Sequence, residues 1–351
     1  MPSEASNALL AKCRAKYGQR LGRDQYDSLI ACRSVSDVAS QLRQTHYAPA
    51  LEKLDQSSIH RGRLEGALDA MLYDELASLC RYERSLGVWI SGYIMMKGEI
   101  LQLLEFLKLL AAGRPGEYIF SLPEYFREHT ELDLDSLARA RSYKDMLDSV
   151  RKTPYFRILS GFAPNESGQI ELASIEHALY EKLYDDVFSM IDSSMSGKAK
   201  EELLELMGTQ VDLLNFTHVY RLKRYYSADA DTTRTMTFRH CYKLSSKVLE
   251  SMVNAASGDE VIALLEQKTP YGRLIDENAV AGGYAEQQNQ RLLAGKARHL
   301  LRFSISPPVV LMAFEILAET EVQDVVTIIE GVRYELPPEE IKALTVLRDY
   351  D

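Results

Sequence analysis

Thr153-Pro154-Tyr155-Phe156-Arg157-Ile158-Leu159 is a stretch that the chain uses three times. It returns downstream as Thr269-Pro270-Tyr271-Gly272-Arg273-Leu274-Ile275 and stands upstream as Thr45-His46-Tyr47-Ala48-Pro49-Ala50-Leu51. The threonines lie 108 and 116 residues apart, and each copy follows a helix-like run: Ser36–Gln44, Lys144–Lys152 and Asp259–Lys268. Thr153 and Thr269 are good N-caps, and Pro154 and Pro270 fit the first helical position, where no amide donor is needed. Each copy therefore predicts a helix, a sharp break and a new helix. In the first copy His46 replaces the proline, which weakens the start signal and leaves the corner. Tyr47, Tyr155 and Tyr271 are expected to pack at these corners with the hydroxyl partly wet.

Further motifs recur in the same order. Leu64-Glu65-Gly66-Ala67-Leu68 answers Ile175-Glu176-His177-Ala178-Leu179, with only Ala285-Glu286 left of a third copy. Glu99-Ile100-Leu101-Gln102, Asp212-Leu213-Leu214-Asn215 and Glu321-Val322-Gln323-Asp324 follow, 113 and 109 residues apart. Arg114-Pro115-Gly116-Glu117-Tyr118-Ile119 then resembles Leu336-Pro337-Pro338-Glu339-Glu340-Ile341. Solenoid repeats have periods of about 20–50 residues. A period near 110 instead predicts three similar helical domains in series, at 1–114, 115–230 and 231–351.

Helical periodicity runs through the chain. Leu9, Leu10, Cys13, Tyr17 and Leu21 are spaced three to four apart, and Ile175, Ala178, Leu179, Leu183 and Val187 share one face. Residues 99–111 are apolar except for a stripe of Glu99, Gln102, Glu105 and Lys108, a pattern that predicts a helix inside the fold. No stretch alternates with period two between turn residues. Only 11 prolines and 19 glycines in 351 residues favour long helices. The class predicted is all-α.

Composition excludes several functions. The 46% hydrophobic content supports a core without metals or disulfides. A net charge of −10 argues against nucleic acid and against broad docking on an anionic bilayer, while leaving room for a local basic patch. Cys13, Cys32, Cys80 and Cys241 are scattered, as free thiols in a reducing compartment would be. Lys12, Arg14 and Lys16 interrupt any early apolar run, so no secretory signal is read. Leu86–Met96 is too short to span a bilayer, and Pro308–Ala318 is broken by Glu315. Val88-Trp89-Ile90 with Met95 and Met96 reads as buried helix.

No chemistry-bearing constellation emerges. Ser196-Gly197-Lys198 lacks the earlier glycine and the strand of a phosphate loop. No two of the seven histidines stand four apart on a helix, and His218 reads as a hydrogen-bonded core residue. Glu99, Asp212 and Glu321 lie on three equivalent helices, whereas a catalytic pair must converge on one substrate. They read as groups that cap or tie helices locally, with no cofactor, metal or small-molecule substrate implied.

Together the motifs resemble the rotor adaptor of V-type ATPases, known as the C subunit in bacterial and archaeal complexes and as the d subunit in eukaryotic ones. The resemblance runs from Leu9–Leu21 and Tyr26-Asp27-Ser28-Leu29, through Thr45-His46-Tyr47 and Asp212–Asn215 with Arg221 and Lys223, to Val325–Glu340. It lies closer to the bacterial and archaeal branch. The departures are His46 for proline, Gln102 and Asp324 where the family favours asparagine, and the blurred copy at 285–289. The resemblance implies a funnel of three helical bundles with pseudo-threefold symmetry. It implies a seat on the cytoplasmic face of the membrane, between the proteolipid ring and a central shaft made of the D and F subunits. It implies a non-catalytic part of an ion-translocating ATPase that transmits torque. Two other classes stand beside it: a helical scaffold of another assembly, and an all-α enzyme. TPR or HEAT pairs would show periods of about 34–47 residues, and an enzyme would need a convergent polar pocket.

Overall fold

The computed structural model describes residues 4–52, 54, 61–84, 90–119, 124–165, 168–274 and 280–349. These residues form eighteen α-helices and no strand. The first five are α1 (Glu4–Tyr17), α2 (Arg23–Ile30), α3 (Val35–Leu42), α4 (Ala48–Leu51) and α5 (Arg61–Arg84). Next come α6 (Ile90–Ala111), α7 (Glu124–His129), α8 (Leu134–Arg139), α9 (Tyr143–Ser149), α10 (Tyr155–Leu159) and α11 (Leu172–Ser194). The last seven are α12 (Gly197–Tyr225), α13 (Ala230–Thr235), α14 (Ser246–Val253), α15 (Gly258–Lys268), α16 (Ala285–Phe303), α17 (Pro307–Arg333) and α18 (Pro338–Leu344).

Serine caps start the helices that lead into the corners. Ser34, Ser142 and Ser257 each accept a hydrogen bond from the backbone N–H three residues on, at Asp37, Asp145 and Glu260. An acidic residue at that third position also faces the positive end of the helix. Asp133 and Ser245 cap the preceding helices in two of the three blocks. In the remaining block the Gln25 side chain accepts from the Gly22 N–H at 2.9 Å. Two capped helices and a tight corner thus form a block that occurs at 22–47, 133–155 and 245–271.

The chain divides into two compact units, one formed by 89–194 and the other by 1–88 together with 195–351. In the first, α6 packs on α11, and α10 packs on α11 as well. Leu103, Phe106 and Leu107 of α6 and Ile175, Leu179 and Val187 of α11 are buried. The polar stripe of α6 divides: Glu99 and Gln102 are buried, whereas Glu105 and Lys108 reach solvent. The long helix turns its first polar pair inward because both groups find partners there.

The second unit is built around α17, which packs on α1, α5 and α16 and also meets α2, α3, α12 and α18. Two prolines open α17, and Pro308–Leu317 is buried throughout, Glu315 included. A helix apolar on nearly all sides and enclosed by several neighbours is a core helix. Among the described residues no helix is long and apolar enough to cross a membrane. Residues 85–89, with Trp89, lie outside the described residues, and Met95 and Met96 are half-buried.

Candidate functional site: three carboxylate joints

Three long helices, α6, α12 and α17, each carry near the middle a buried carboxylate that receives the tyrosine of a corner. Tyr155 donates its hydroxyl to Glu99 at 2.7 Å, Tyr271 to Asp212 at 2.7 Å, and Tyr47 to Glu321 at 3.0 Å. The corner that closes on a helix comes from the following copy of the repeat. The last helix, α17, receives the first corner, so the two ends of the chain meet. The ties span 56, 59 and 274 residues and are therefore not local. Periodicity sets the phase of the motifs but carries no information about which copy meets which.

The corner tyrosines are buried, and their hydroxyls are held by carboxylates rather than by water. The long helix supplies an acceptor that an isolated corner lacks. Burial first, and the adjacent carboxylate second, push the Tyr47, Tyr155 and Tyr271 hydroxyls well above their ordinary pKa. Each phenol therefore stays protonated and donates at any physiological pH.

Backbone N–H groups complete each joint. Asp212 accepts from Tyr242 at 2.9 Å, Lys243 at 2.7 Å and Leu244 at 2.8 Å. Glu99 accepts from the Glu131 N–H at 3.1 Å and the Thr130 hydroxyl at 2.5 Å. Glu321 accepts from the Leu21 N–H at 2.9 Å, and His46 Nε2 stands 3.1 Å from its Oε1. His46 thus fills the place of Pro154 and Pro270 and adds a contact that the other joints lack. Its ring lies against Tyr47, with centroids 4.0 Å apart.

The threonines shape the corners from within. Thr45 and Thr269 each accept from the tyrosine N–H two residues on, at 3.2 Å, and donate to the carbonyls of Leu42 and Leu265. Pro270 follows Thr269 at the first position of a 3-10 turn. Thr153 donates to the Val150 carbonyl at 2.8 Å, and Pro154 immediately precedes α10.

One helical turn on, the third residue after each carboxylate clamps the segment beyond its helix. Gln102 accepts the Tyr118 hydroxyl at 2.9 Å. Asn215 bonds Phe238 twice, donating to its carbonyl at 3.1 Å and accepting from its N–H at 2.7 Å. Asp324 accepts from the Val346 and Leu347 N–H groups, both at 2.8 Å, and from the Tyr26 hydroxyl at 3.1 Å. Burial pushes the Asp324 carboxyl up to about 6, against the pull of these donors, and the neighbouring Glu321 adds to the rise. Burial raises Asp212 as well, opposed by its backbone donors.

These geometries fasten corners to helices. A carboxylate has about four acceptor positions, and four donors fill those of Asp212. A general base needs an open lone pair facing a substrate. A hollow of about 250 Å³ lies beside Glu99 and Tyr155, lined by Met95, Met96, Ile100, Leu183 and Met190 together with His129, Glu131, Lys182 and Asp186. Among the described residues no group of three His, Cys, Asp or Glu side chains could hold a metal ion. Ser196 and Gly197 open α12 directly, and His218 sits 3.2 Å from the Met236 carbonyl oxygen.

Comparison with known proteins gives the family. Residues 9–344 match the family described as ATP synthase (C/AC39) subunit. A protein of Methanocaldococcus jannaschii, by name the C subunit of an A-type ATP synthase, is 21% identical over 345 residues, covering 96% of this chain and 85% of the relative. The protein of that name from Pyrococcus horikoshii is 23% identical, covering 95% of this chain and 88% of its own length. The one from Methanosphaera stadtmanae is 24% identical over 278 residues, covering 76% and 67%. The chain belongs to the ATP synthase (C/AC39) subunit family.

Proposed function

We propose that this protein is the rotor adaptor of its ATP synthase. In this reading it joins the central shaft, made of the D and F subunits, to the membrane proteolipid ring. It sits on the cytoplasmic face, binds no nucleic acid or small-molecule substrate, and carries no catalytic group. Three bundles corresponding to 1–114, 115–230 and 231–351 form a funnel with pseudo-threefold symmetry. One rim docks the shaft and the opposite face docks the ring.

The carboxylate joints are the observation that carries the proposal. A coupler must pass torque without yielding, and a yielding point would be a corner between helices. Each corner here is fixed to the middle of a long helix through a buried, charge-assisted hydrogen bond. Such bonds contribute about 1.5–3 kcal/mol each, and well-packed interiors transmit strain. Because each bond joins separate copies of the repeat, no block is left hinged on its own corner.

A pull-down with the tagged full chain tests the partners. Recovery of the D and F subunits from one side and of the proteolipid from the other is the outcome expected. Recovery of none of them would refute the assignment.

A further inference from the structure

One flank of the first joint is open. The hollow of about 250 Å³ beside Glu99 lies within the unit formed by 89–194, between α6 and α11. The other copies of the repeat show what stands at the same place. Met95 precedes Glu99 by four residues, as Gly208 precedes Asp212 and Leu317 precedes Glu321. The Tyr242 side chain occupies the space at Gly208, where an added Cβ would lie 2.6 Å from the tyrosine Cβ. Leu317 is buried, and so is Phe314 at the position where α6 has Gly92. Met95, Met96 and Met190 are only half-buried.

In the third joint a helix covers this place. α1 packs on both α5 and α17, with Leu9, Leu10, Cys13 and Tyr17 buried, and Lys16 donates to Glu75 of α5 at 2.8 Å. α11 repeats α5: Glu75 stands eleven residues after Leu64, and Asp186 stands eleven after Ile175. Asp186, on the lining of the hollow, therefore holds the place of Glu75, and Met190 holds the place of the buried Leu79. The segments ahead of the two blocks correspond as well, since Leu21 donates its N–H to Glu321 as Glu131 does to Glu99. The helix before Leu21 is α1, with 14 residues, whereas the helix before Glu131 is α7, with 6. With no counterpart of Lys16 against it, Asp186 pairs with Lys182, one turn away on its own helix.

We propose that this hollow receives an amphipathic helix from another subunit of the complex, seated as α1 is seated on α5 and α17. Its apolar side chains, three to four residues apart, meet Met95, Met96, Leu183 and Met190, and a Lys or Arg on its flank reaches Asp186. Helices that dock in grooves are read through anchors of this spacing. Flexible, polarizable methionines adapt to an incoming surface. A half-exposed ion pair within one helix is weak, so an arriving cation can take over Asp186 from Lys182. The groove is independent of the shaft and ring assignments, because it is defined by the chemistry of the helix and not by which subunit supplies it.

Methionine oxidation by hydrogen peroxide, read by peptide mass spectrometry, compares the free full chain with the membrane complex. Met95, Met96 and Met190 should oxidise at least about tenfold more slowly in the complex, a factor that even a modest docking energy supplies. Met146 and Met207, buried in the chain itself, report that it stays folded in both. A photo-crosslinking p-benzoylphenylalanine at position 96 should join, in the complex, to a helical segment of another subunit with an apolar stripe flanked by Lys or Arg. D186K should abolish both protection and cross-link, and D186E should retain both. If D186K melts below the parent chain, D186N removes the charge alone and should weaken both. Equal oxidation in the free chain and the complex would overturn the proposal. So would cross-links confined to this chain, to a second copy of it or to lipid, or charge variants that stay protected like the parent.

Discussion

Removing a single hydroxyl, that of Tyr271, isolates what one joint contributes. The residue is 1% exposed and donates at 2.7 Å to Asp212, which keeps three backbone donors when the phenol is gone. Tyr271→Phe strands no donor and leaves the carboxylate largely satisfied. Its cost is one hydrogen bond to a charged group, at the low end of about 1.5–3 kcal/mol. Asp212→Ala acts differently, because it leaves three N–H groups and one hydroxyl inside the protein without acceptors. At about 1–3 kcal/mol for each stranded donor, and with partial relief from removing a charge that burial disfavours, the cost should exceed about 4 kcal/mol. In the Asp212→Ala background Tyr271→Phe should instead stabilise by about 1–3 kcal/mol, since it removes a donor already stranded. Urea denaturation of the four proteins closes the cycle. A coupling energy of about 2.5–5 kcal/mol is the expected outcome. Equal costs of Tyr271→Phe in both backgrounds would refute the claim that the phenol acts through Asp212.

Other outcomes follow from single contacts. A Cβ at Gly272 would lie 2.2 Å from the Glu266 Cα and 2.6 Å from its carbonyl oxygen. Gly272→Ala should therefore destabilise by at least about 3 kcal/mol, because backbone cannot step aside. Gly66→Ala, in mid-helix with nothing within 4 Å of the new carbon, should stabilise by about 0.5–1 kcal/mol. Thermal melts of the pair check both signs. Ser142→Ala removes the cap of α9 and should cost about 1 kcal/mol by urea denaturation. Asp324, raised from an ordinary 3.8 to about 6, takes up protons more readily folded than unfolded. Its contribution to stability is full below the unfolded pKa and is lost as pH rises through about 6, a change on the order of 3 kcal/mol. Urea midpoints between pH 4 and pH 7 should carry this falling component in the parent chain, and Asp324→Asn should remove it.

Much of this was legible in the sequence, for reasons that differ by residue. The Thr-Pro-Tyr corners and the carboxylates on long helices show themselves through spacing. The all-α class follows from periodicity and the scarcity of glycine and proline. The partnering of Tyr47 with Glu321 was not legible, because closure of the chain ends depends on how helices pack across 274 residues. The burial of the corner hydroxyls stayed hidden for the same reason: each acceptor comes from another copy. The splitting of the α6 stripe, Glu99 and Gln102 inward and Glu105 and Lys108 outward, depends on partners that no local pattern names. Serine caps could have been found. Ser34, Ser142 and Ser257 each precede an acidic residue by three positions, the mark of a helix start.

The carboxylates at the three joints share one logic with the residues a turn beyond them. Asn215 grips Phe238 and Asp324 grips Val346 and Leu347, so each of these long helices holds the segment that follows it. Buried polar groups that are fully paired specify one arrangement of the helices. The proposed role, a part that turns under load, needs one such arrangement.

Ion uptake and ATP hydrolysis, measured together on membrane complexes with and without this protein, test the coupler most directly. Loss of ATP-driven uptake with hydrolysis retained, and recovery of uptake when the full chain is added back, is the predicted result. Uptake that continues at its normal rate in its absence would contradict the account.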